Sequence, residues 1–201
     1  MTQRGAFIVF EGVDGCGKTT QARRVADARD AVWTFEPGDT PLGASLRSVV
    51  LDSHVDIDPV AELLVMAADR AQHVAQVIEP ALAAGRDVVC DRFNGSTLAY
   101  QGYGRGLDLA AIRRVLDVAT KGLEPDLTIL LDCPVELARS RRADRRAAPD
   151  RFESDDGFSA RVRDGFAELA TTSRGWMVLD ASGPVESVTS AVDELIARSL
   201  V

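Results

Sequence analysis

The residues best suited to chemistry are concentrated at positions 12–19, where the chain reads Gly-Val-Asp-Gly-Cys-Gly-Lys-Thr. This is the spacing G-x-x-x-x-G-K-[ST], placed after the apolar run 7–10 and before a helix-compatible stretch. Glycines at these positions let backbone N–H groups converge on an anion, and the N-terminus of a helix adds partial positive charge. The motif therefore predicts a loop that binds the phosphates of a nucleoside triphosphate.

Two side chains of this loop are candidates for direct roles. A lysine at position 18 can reach the β- and γ-phosphates, and the hydroxyl of Thr19 can ligate Mg²⁺. The other residues that we expect to surround the phosphates of ATP are Gly12, Val13, Asp14, Gly15, Cys16, Gly17 and Thr20.

A second charged group ends the segment 87–92, which reads Asp-Val-Val-Cys-Asp-Arg. Its apolar run predicts a buried strand, and ligands of open α/β sheets bind at the carboxyl ends of such strands. Asp91 could hold Mg²⁺ through water, and the guanidinium of Arg92 could bind a phosphate in a bidentate manner. The alternative is a structural ion pair at the rim of the sheet.

Arginines are crowded into the segment 139–151. Like charges at this density repel one another unless an anion lies among them. The chain has a net charge of −8 and the segment lacks interleaved aromatic residues, which disfavours nucleic acid as the partner. We expect a lid over about residues 142–153 that closes on transferring phosphates, and a solvated basic face is the alternative. The catalytic candidates in the lid are Arg142, Arg145 and Arg146.

Short apolar segments alternate with longer amphipathic ones, a pattern typical of a parallel sheet covered by helices on both faces. The predicted strands lie near 6–10, 31–35, 87–91, 126–132 and 176–179, and the predicted helices cover 18–29, 42–52, 58–84, 108–120, 134–142, 155–173 and 184–199. Pro80 is expected to bend or interrupt the last turns of the long helix. With a phosphate loop after the first strand, this predicts an α/β protein with the three-layer P-loop NTPase fold, a five-stranded parallel sheet and a short arginine-rich lid.

Composition limits the classes of protein that remain. The chain has 201 residues, 46% of them hydrophobic, which suffices for one domain over residues 1–201 with a substantial core. No apolar run approaches the roughly 18 residues of a membrane span. The three cysteines lack C-x-x-C spacing and are expected to be reduced. We therefore predict a cytoplasmic protein without membrane or nucleic-acid partners.

An ordered set of motifs resembles the thymidylate kinases, particularly the bacterial type, over essentially the whole chain. The motifs lie at residues 10–21, 36–38, 67–73, 91–92, 96–108, 125–128 and 150–153. The resemblance implies transfer of the γ-phosphate of ATP to dTMP, with Mg²⁺, in a homodimer. It also implies that the loop at 178–183 lies behind the adenine, and a simple strand-to-helix turn is the alternative there.

The same resemblance implies substrate contacts. The residues that would bind dTMP are Asp14 (sugar 3′-hydroxyl), Arg47 and Arg92 (phosphate), Arg70 (thymine carbonyl), Thr97 and Gln101 (base edge), Tyr100 (2′ position), Glu36 and Met66. Met66 stands where family members usually have a phenylalanine that stacks on thymine, and methionine can cover a base with polarizable surface. With glycine at position 15, the chain resembles the subgroup of the family whose catalytic arginine comes from the lid.

The chemistry of a monophosphate acceptor agrees with these residues. Its second pKa is about 6, so it is largely ionised at neutral pH and needs no general base. The remaining task is to align two polyanions and to neutralise charge, which requires a lysine, Mg²⁺ and arginines.

Three other hypotheses stay open. They are a deoxynucleoside kinase with Asp91 as general base, a kinase for deoxycytidylate or a broader set of pyrimidine nucleotides, and a nucleotide-binding regulatory module with little turnover. His54 and His73 lack partnered metal ligands, and we expect surface or capping roles for both.

Overall fold

A computed structural model describes residues 4–52, 54–143 and 156–200. Its five strands are β1 (Phe7–Glu11), β2 (Val32–Phe35), β3 (Val88–Asp91), β4 (Leu127–Asp132) and β5 (Trp176–Asp180). They form one sheet in the order β2-β3-β1-β4-β5, and every neighbouring pair is parallel. The predicted five-stranded parallel sheet is confirmed, with strand ends within one residue of those expected.

The central strand β1 has apolar side chains on both faces. Ile8 and Phe10 belong to the larger core cluster, whereas Phe7 and Val9 belong to a smaller cluster on the other side. Successive side chains of a strand point to opposite faces, so each face of the sheet must be covered by helices. All four residues are at most 1% exposed, as a three-layer arrangement requires.

The helices connect the strands in the expected places. They are α1 (Lys18–Arg29), α2 (Pro41–Val50), α3 (Pro59–His73), α4 (Glu79–Ala83), α5 (Asn94–Thr97), α6 (Leu109–Thr120), α7 (Val135–Ala143), α8 (Asp156–Thr172) and α9 (Val185–Ser199). Helices α2 and α3 each begin with proline at the first position, after a side-chain cap from Thr40 or Asp58. No helix in the described ranges is long and apolar enough to cross a membrane.

Two helical regions depart from regular α-helix, one of them at the place expected from the sequence. The predicted helix 58–84 is interrupted by a π-helical segment, Val74–Ile78, directly before α4. The interruption agrees with the expectation for Pro80, which lacks an N–H for the regular ladder and crowds the carbonyl four residues earlier. The sequence pattern did not predict the other region, which is formed by α5 and a second π-helical segment, Leu98–Gly104.

Candidate active site

The phosphate loop joins β1 to α1, which begins at Lys18. Gly12 and Gly15 have φ values of 141° and 93°, a region that L side chains rarely adopt. A Cβ atom at Gly15 would also lie 2.1 Å from the carbonyl oxygen of Ala138. Lys18 is 5% exposed, and its Nζ donates to the carbonyl of Val13 at 2.9 Å. The side chain of Lys18 therefore folds back across the phosphate loop.

Thr19 and Asp91 meet at the carboxyl end of the sheet, because β1 and β3 are adjacent parallel strands. The hydroxyl of Thr19 donates to Oδ2 of Asp91 at 2.5 Å. The other carboxylate oxygen, Oδ1, is buried and has no hydrogen-bond partner among the residues that the structure describes. This donor set fits Mg²⁺, which prefers oxygen ligands and completes its shell with water and substrate phosphates. The described residues contain no cluster of three His, Cys, Asp or Glu that could hold a metal alone.

Arg92 and Asp14 form an ion pair between β3 and the phosphate loop. Nη2 of Arg92 lies 2.6 Å from Oδ1 of Asp14, and the hydroxyl of Tyr100 donates to Oδ2 at 2.9 Å. Burial raises the pKa of Asp14, but the charges of Arg92 and Lys18 outweigh it and hold that pKa well below its usual range. Arg92 adopts φ of 77°, outside the region that suits its side chain. The pair places opposite charges beside the phosphate loop.

One cleft brings together all nine residues that the resemblance assigned to the acceptor nucleotide. Its lining includes Asp14, Glu36, Arg47, Met66, Arg70, Arg92, Thr97, Tyr100 and Gln101. A second cleft continues from it along the phosphate loop and is lined by Lys18, Thr19, Asp91 and Arg142 together with Asp14, Glu36, Arg47 and Arg92. Shared lining residues mean that the two clefts are continuous.

Arg70 lies at the centre of a buried polar network. Its Nε donates to Oε2 of Glu36 at 2.7 Å, and its two terminal nitrogens donate to the Thr97 hydroxyl and the Phe93 carbonyl. Burial raises the pKa of Glu36, but Arg70 and His73 outweigh it, and the net shift is downward. Three of the five guanidinium N–H groups are engaged, which leaves two for a ligand in the cleft.

The expectation of a surface or capping role for His73 was wrong. His73 is fully buried, with Nδ1 2.8 Å from Oε1 of Glu36 and Nε2 in contact with the Thr34 hydroxyl. Its partners come from β2 and the residue after it, so the imidazole fixes Glu36 from the side opposite Arg70. His54, by contrast, is exposed as expected.

Three acidic residues that support the cleft were not predicted from the sequence. Glu11 accepts hydrogen bonds from the backbone of Phe93 and Ser96 and thereby anchors the start of α5. Glu62 is fully buried and accepts from the amide of Gln101 at 2.8 Å. The third, Asp69, accepts from the backbone N–H of Gly38 at 3.1 Å. Of these three, Glu62 alone could have been found from the sequence. It lies four residues before Met66 and eight before Arg70, a spacing that places all three side chains on one face of a helix.

Asp69 should make the stability of the fold depend on pH. Burial raises its pKa from 3.8 to about 6, and the Glu36 carboxylate adds to the shift. Because the folded state holds this proton more tightly than the unfolded chain, stability falls as pH rises from about 4 through 6. We expect Asp69→Asn to gain roughly 1–2 kcal/mol in free energy of unfolding at pH 8, and the gain to vanish below about pH 4.

Urea unfolding at pH 4 and pH 8 measures this difference. Asp56→Asn is the control, because Asp56 is exposed just before α3 and should change stability little at either pH. An Asp69→Asn protein no more stable than the parent at pH 8 would contradict the raised pKa.

Of the three candidate lid arginines, one lies within the residues that the structure describes. Arg142, near the end of α7, lines the cleft that also holds Lys18 and Arg92, and its Cγ lies 3.0 Å from a Cβ built at Gly15. Arg145, Arg146 and the rest of the predicted lid to residue 153 lie outside the described residues. Arg47, on α2, donates to the carbonyl of Pro37 at 2.7 Å and faces both continuous clefts.

A third cleft lies on the far side of the phosphate loop. Its lining includes Gly17, Thr20, Gln21, Arg141 and Pro184, and Ala181 and Gly183 form part of its wall. The guanidinium of Arg141 donates to the carbonyls of Ala181, Ser182 and Gly183 and so fixes the loop after β5. This cleft therefore adjoins the phosphate loop and is walled by the loop that follows β5.

Comparisons with known proteins agree with this geometry. A family model described as thymidylate kinase matches residues 10–192. A thymidylate kinase of Prochlorococcus marinus (strain MIT 9313) is 51% identical over 94% of this chain and 92% of its own, and one of Geotalea uraniireducens (strain Rf4) is 44% identical over 98% of each. The crystal structure of thymidylate kinase from Ehrlichia chaffeensis superposes with a TM-score of 0.78 at 32% identity, covering 96% of this chain and 99% of that one. The chain therefore belongs to the thymidylate kinase family.

Proposed function

We propose that this protein transfers the γ-phosphate of ATP to dTMP, giving dTDP and ADP for the synthesis of deoxynucleotides. The observation that carries the proposal is the continuity of two clefts across Asp14 and Arg92. One cleft ends in the buried Arg70 and Gln101, which suit a base, and the other runs along the phosphate loop. One domain thus supplies both nucleotide sites, with the reacting phosphates between them.

We assign the donor side to the phosphate loop. Its backbone from Gly12 to Thr20 would surround the phosphates of ATP, and Lys18 would neutralise the charge that grows on the transferring group. Thr19 and Asp91 would hold Mg²⁺, which supplies charge neutralisation when bound; the unpaired Oδ1 of Asp91 supports this assignment. Arg142, Arg145 and Arg146 would add positive charge from the lid.

We assign the acceptor side to the first cleft. Arg92 and Arg47 would bind the phosphate of dTMP, and Asp14 would accept a hydrogen bond from the sugar 3′-hydroxyl. Tyr100, held against Asp14, would crowd the 2′ position and favour deoxyribose.

The base would lie deeper in the same cleft. Met66 would cover its face, and Arg70, Thr97 and Gln101 would contact its edge. Glu36 orients Arg70 through the 2.7 Å ion pair.

An assay of ADP release across acceptors tests the proposal. We expect turnover to be fastest with dTMP, slower with dUMP and slowest with dCMP, AMP, GMP and thymidine. Faster turnover with dCMP would overturn the acceptor assignment, and preference for thymidine would favour Asp91 as a base on a neutral hydroxyl. Binding of ATP without turnover of any acceptor would favour a regulatory module.

We also propose that the protein is a homodimer. Exposed apolar side chains lie on three helices that pack side by side, α2, α3 and α6. They are Leu42, Val49, Val60, Leu64 and Val118, the last of them 82% exposed. Sedimentation velocity at micromolar concentration tests this, and a single species with the mass of one chain would contradict it. A cytoplasmic location, testable by cell fractionation, is supported by the three buried free cysteines.

A further inference from the structure

We propose that Glu62 is a specificity-determining positioning residue: it fixes the amide of Gln101 so that the carbonyl oxygen faces the acceptor cleft, and the site thereby selects a base with a ring N–H. This inference rests on the proposed function, since it concerns the acceptor base of the same cleft. Its evidence is the buried contact between α3 and the π-helical segment Leu98–Gly104.

The amide of Gln101 is held at one end only. Gln101 is 1% exposed, and its Nε2 donates to Oε1 of Glu62 at 2.8 Å. Among the described residues, none donates a hydrogen bond to the other end, the carbonyl Oε1 of Gln101. Because Gln101 lines the acceptor cleft, this oxygen is the acceptor that it offers to a bound base.

Glu62 leaves the amide no alternative orientation. It is fully buried, and Arg105 donates to both of its oxygens, at 3.3 Å to Oε1 and 3.1 Å to Oε2. A carboxylate paired in this way only accepts hydrogen bonds. Turning the Gln101 amide by half a rotation would place its carbonyl against a carboxylate oxygen and lose the 2.8 Å hydrogen bond, a costly arrangement in a buried site.

The fixed orientation distinguishes pyrimidines by their hydrogen-bonding edge. Thymine and uracil present a ring N3–H donor beside a carbonyl acceptor, whereas cytosine presents a bare N3 acceptor beside an amino donor. A Gln101 carbonyl in the same cleft as the Arg70 guanidinium therefore offers one acceptor and one donor, which matches the first pattern and opposes the second at both atoms. Sites that pair a substrate N–H reject analogues lacking it, because their buried polar groups are left without partners.

The test is the ratio of kcat/KM for dTMP to that for dCMP. A glutamine at position 62 can donate as well as accept, so the Gln101 amide can turn. We expect Glu62→Gln to lower the ratio roughly 10- to 100-fold, through a higher KM for dTMP, with KM for ATP unchanged. Glu79→Gln is the matched control, since Glu79 is an exposed acid paired with Lys121, and it should leave the ratio unchanged.

A double-mutant cycle tests whether Glu62 acts on specificity through the orientation of the Gln101 amide or through general support of the cleft. Gln101→Met should lower the ratio by itself, and adding Glu62→Gln should lower it no further. If Glu62→Gln lowers the Tm below the assay temperature, the ratios of variant and parent are both measured at a temperature below that Tm.

Two outcomes are distinguishable. A protein that prefers dTMP and keeps its full ratio in the Glu62→Gln variant overturns this inference alone. A parent protein that phosphorylates no pyrimidine monophosphate overturns the proposed function.

Discussion

Lys18→Ala should lower kcat by about 10²- to 10³-fold at saturating ATP and dTMP, with a smaller change in KM for dTMP. The reason is that the ammonium group faces charge that grows on the γ-phosphate during transfer, so its loss affects the transition state more than the ground state. Lys18 is 5% exposed, and its ammonium group is held within the phosphate loop by the Val13 carbonyl. Steady-state kinetics with both substrates varied measures the effect.

The chain supplies its own matched control, because it has only one other lysine. Lys121 follows α6, is 64% exposed, pairs with Glu79 at 3.2 Å and lines neither cleft. Lys121→Ala should leave kcat unchanged. A Lys18→Ala enzyme with the kcat of the parent would remove Lys18 from the catalytic residues.

Arg70→Ala should destabilise the fold by roughly 3–5 kcal/mol at pH 7, because it leaves the carboxylate of Glu36 buried without its main counter-charge. The ion pair joins side chains that are each 3% exposed, so the Glu36 carboxylate depends on the guanidinium rather than on bulk water for its compensation. The KM for dTMP should also rise, by a factor equivalent to roughly 1–3 kcal/mol, through loss of a hydrogen bond to the base. Urea unfolding measures the first effect and steady-state kinetics the second.

Two comparisons isolate the buried pair. In a Glu36→Gln background the loss from Arg70→Ala should shrink markedly, since no buried negative charge is left unpaired. Arg4→Ala, which breaks the exposed pair with Asp126, should cost about 0–1 kcal/mol. An Arg70→Ala protein as stable as Arg4→Ala would show that Glu36 is satisfied by other groups.

The features that could be predicted from the sequence are those that depend on residues close together in the chain. Residues 12–19 form a loop because glycine positions and a following helix are local properties, and Lys18 and Thr19 follow from that spacing. The placement of Asp91 needed one further step, that the carboxyl ends of parallel strands share an edge. The five apolar strands were predictable for the same local reason.

The features that escaped prediction depend on partners distant in sequence. His73 is buried because Glu36 lies 37 positions earlier, and Glu62 gains its role from Gln101, 39 positions later. The helical region after β3 was hidden by its glycines, which usually indicate turns. Here a Cβ at Gly95 or Gly104 would approach the ring of Trp176 or Phe158 within 2.6 Å, so the glycines serve close packing.

The backbone at Arg92 has a consequence for any effort to make this protein more robust. A residue with φ of 77° costs roughly 1–3 kcal/mol unless it is glycine, and the strand end at position 92 retains arginine nevertheless. Arg92→Gly would relieve this strain, but it would also remove the ion pair with Asp14 and the hydrogen bond to Ser96. Under the proposed function it would further take a guanidinium away from the acceptor phosphate, so relief of backbone strain alone is a poor guide to redesign at position 92.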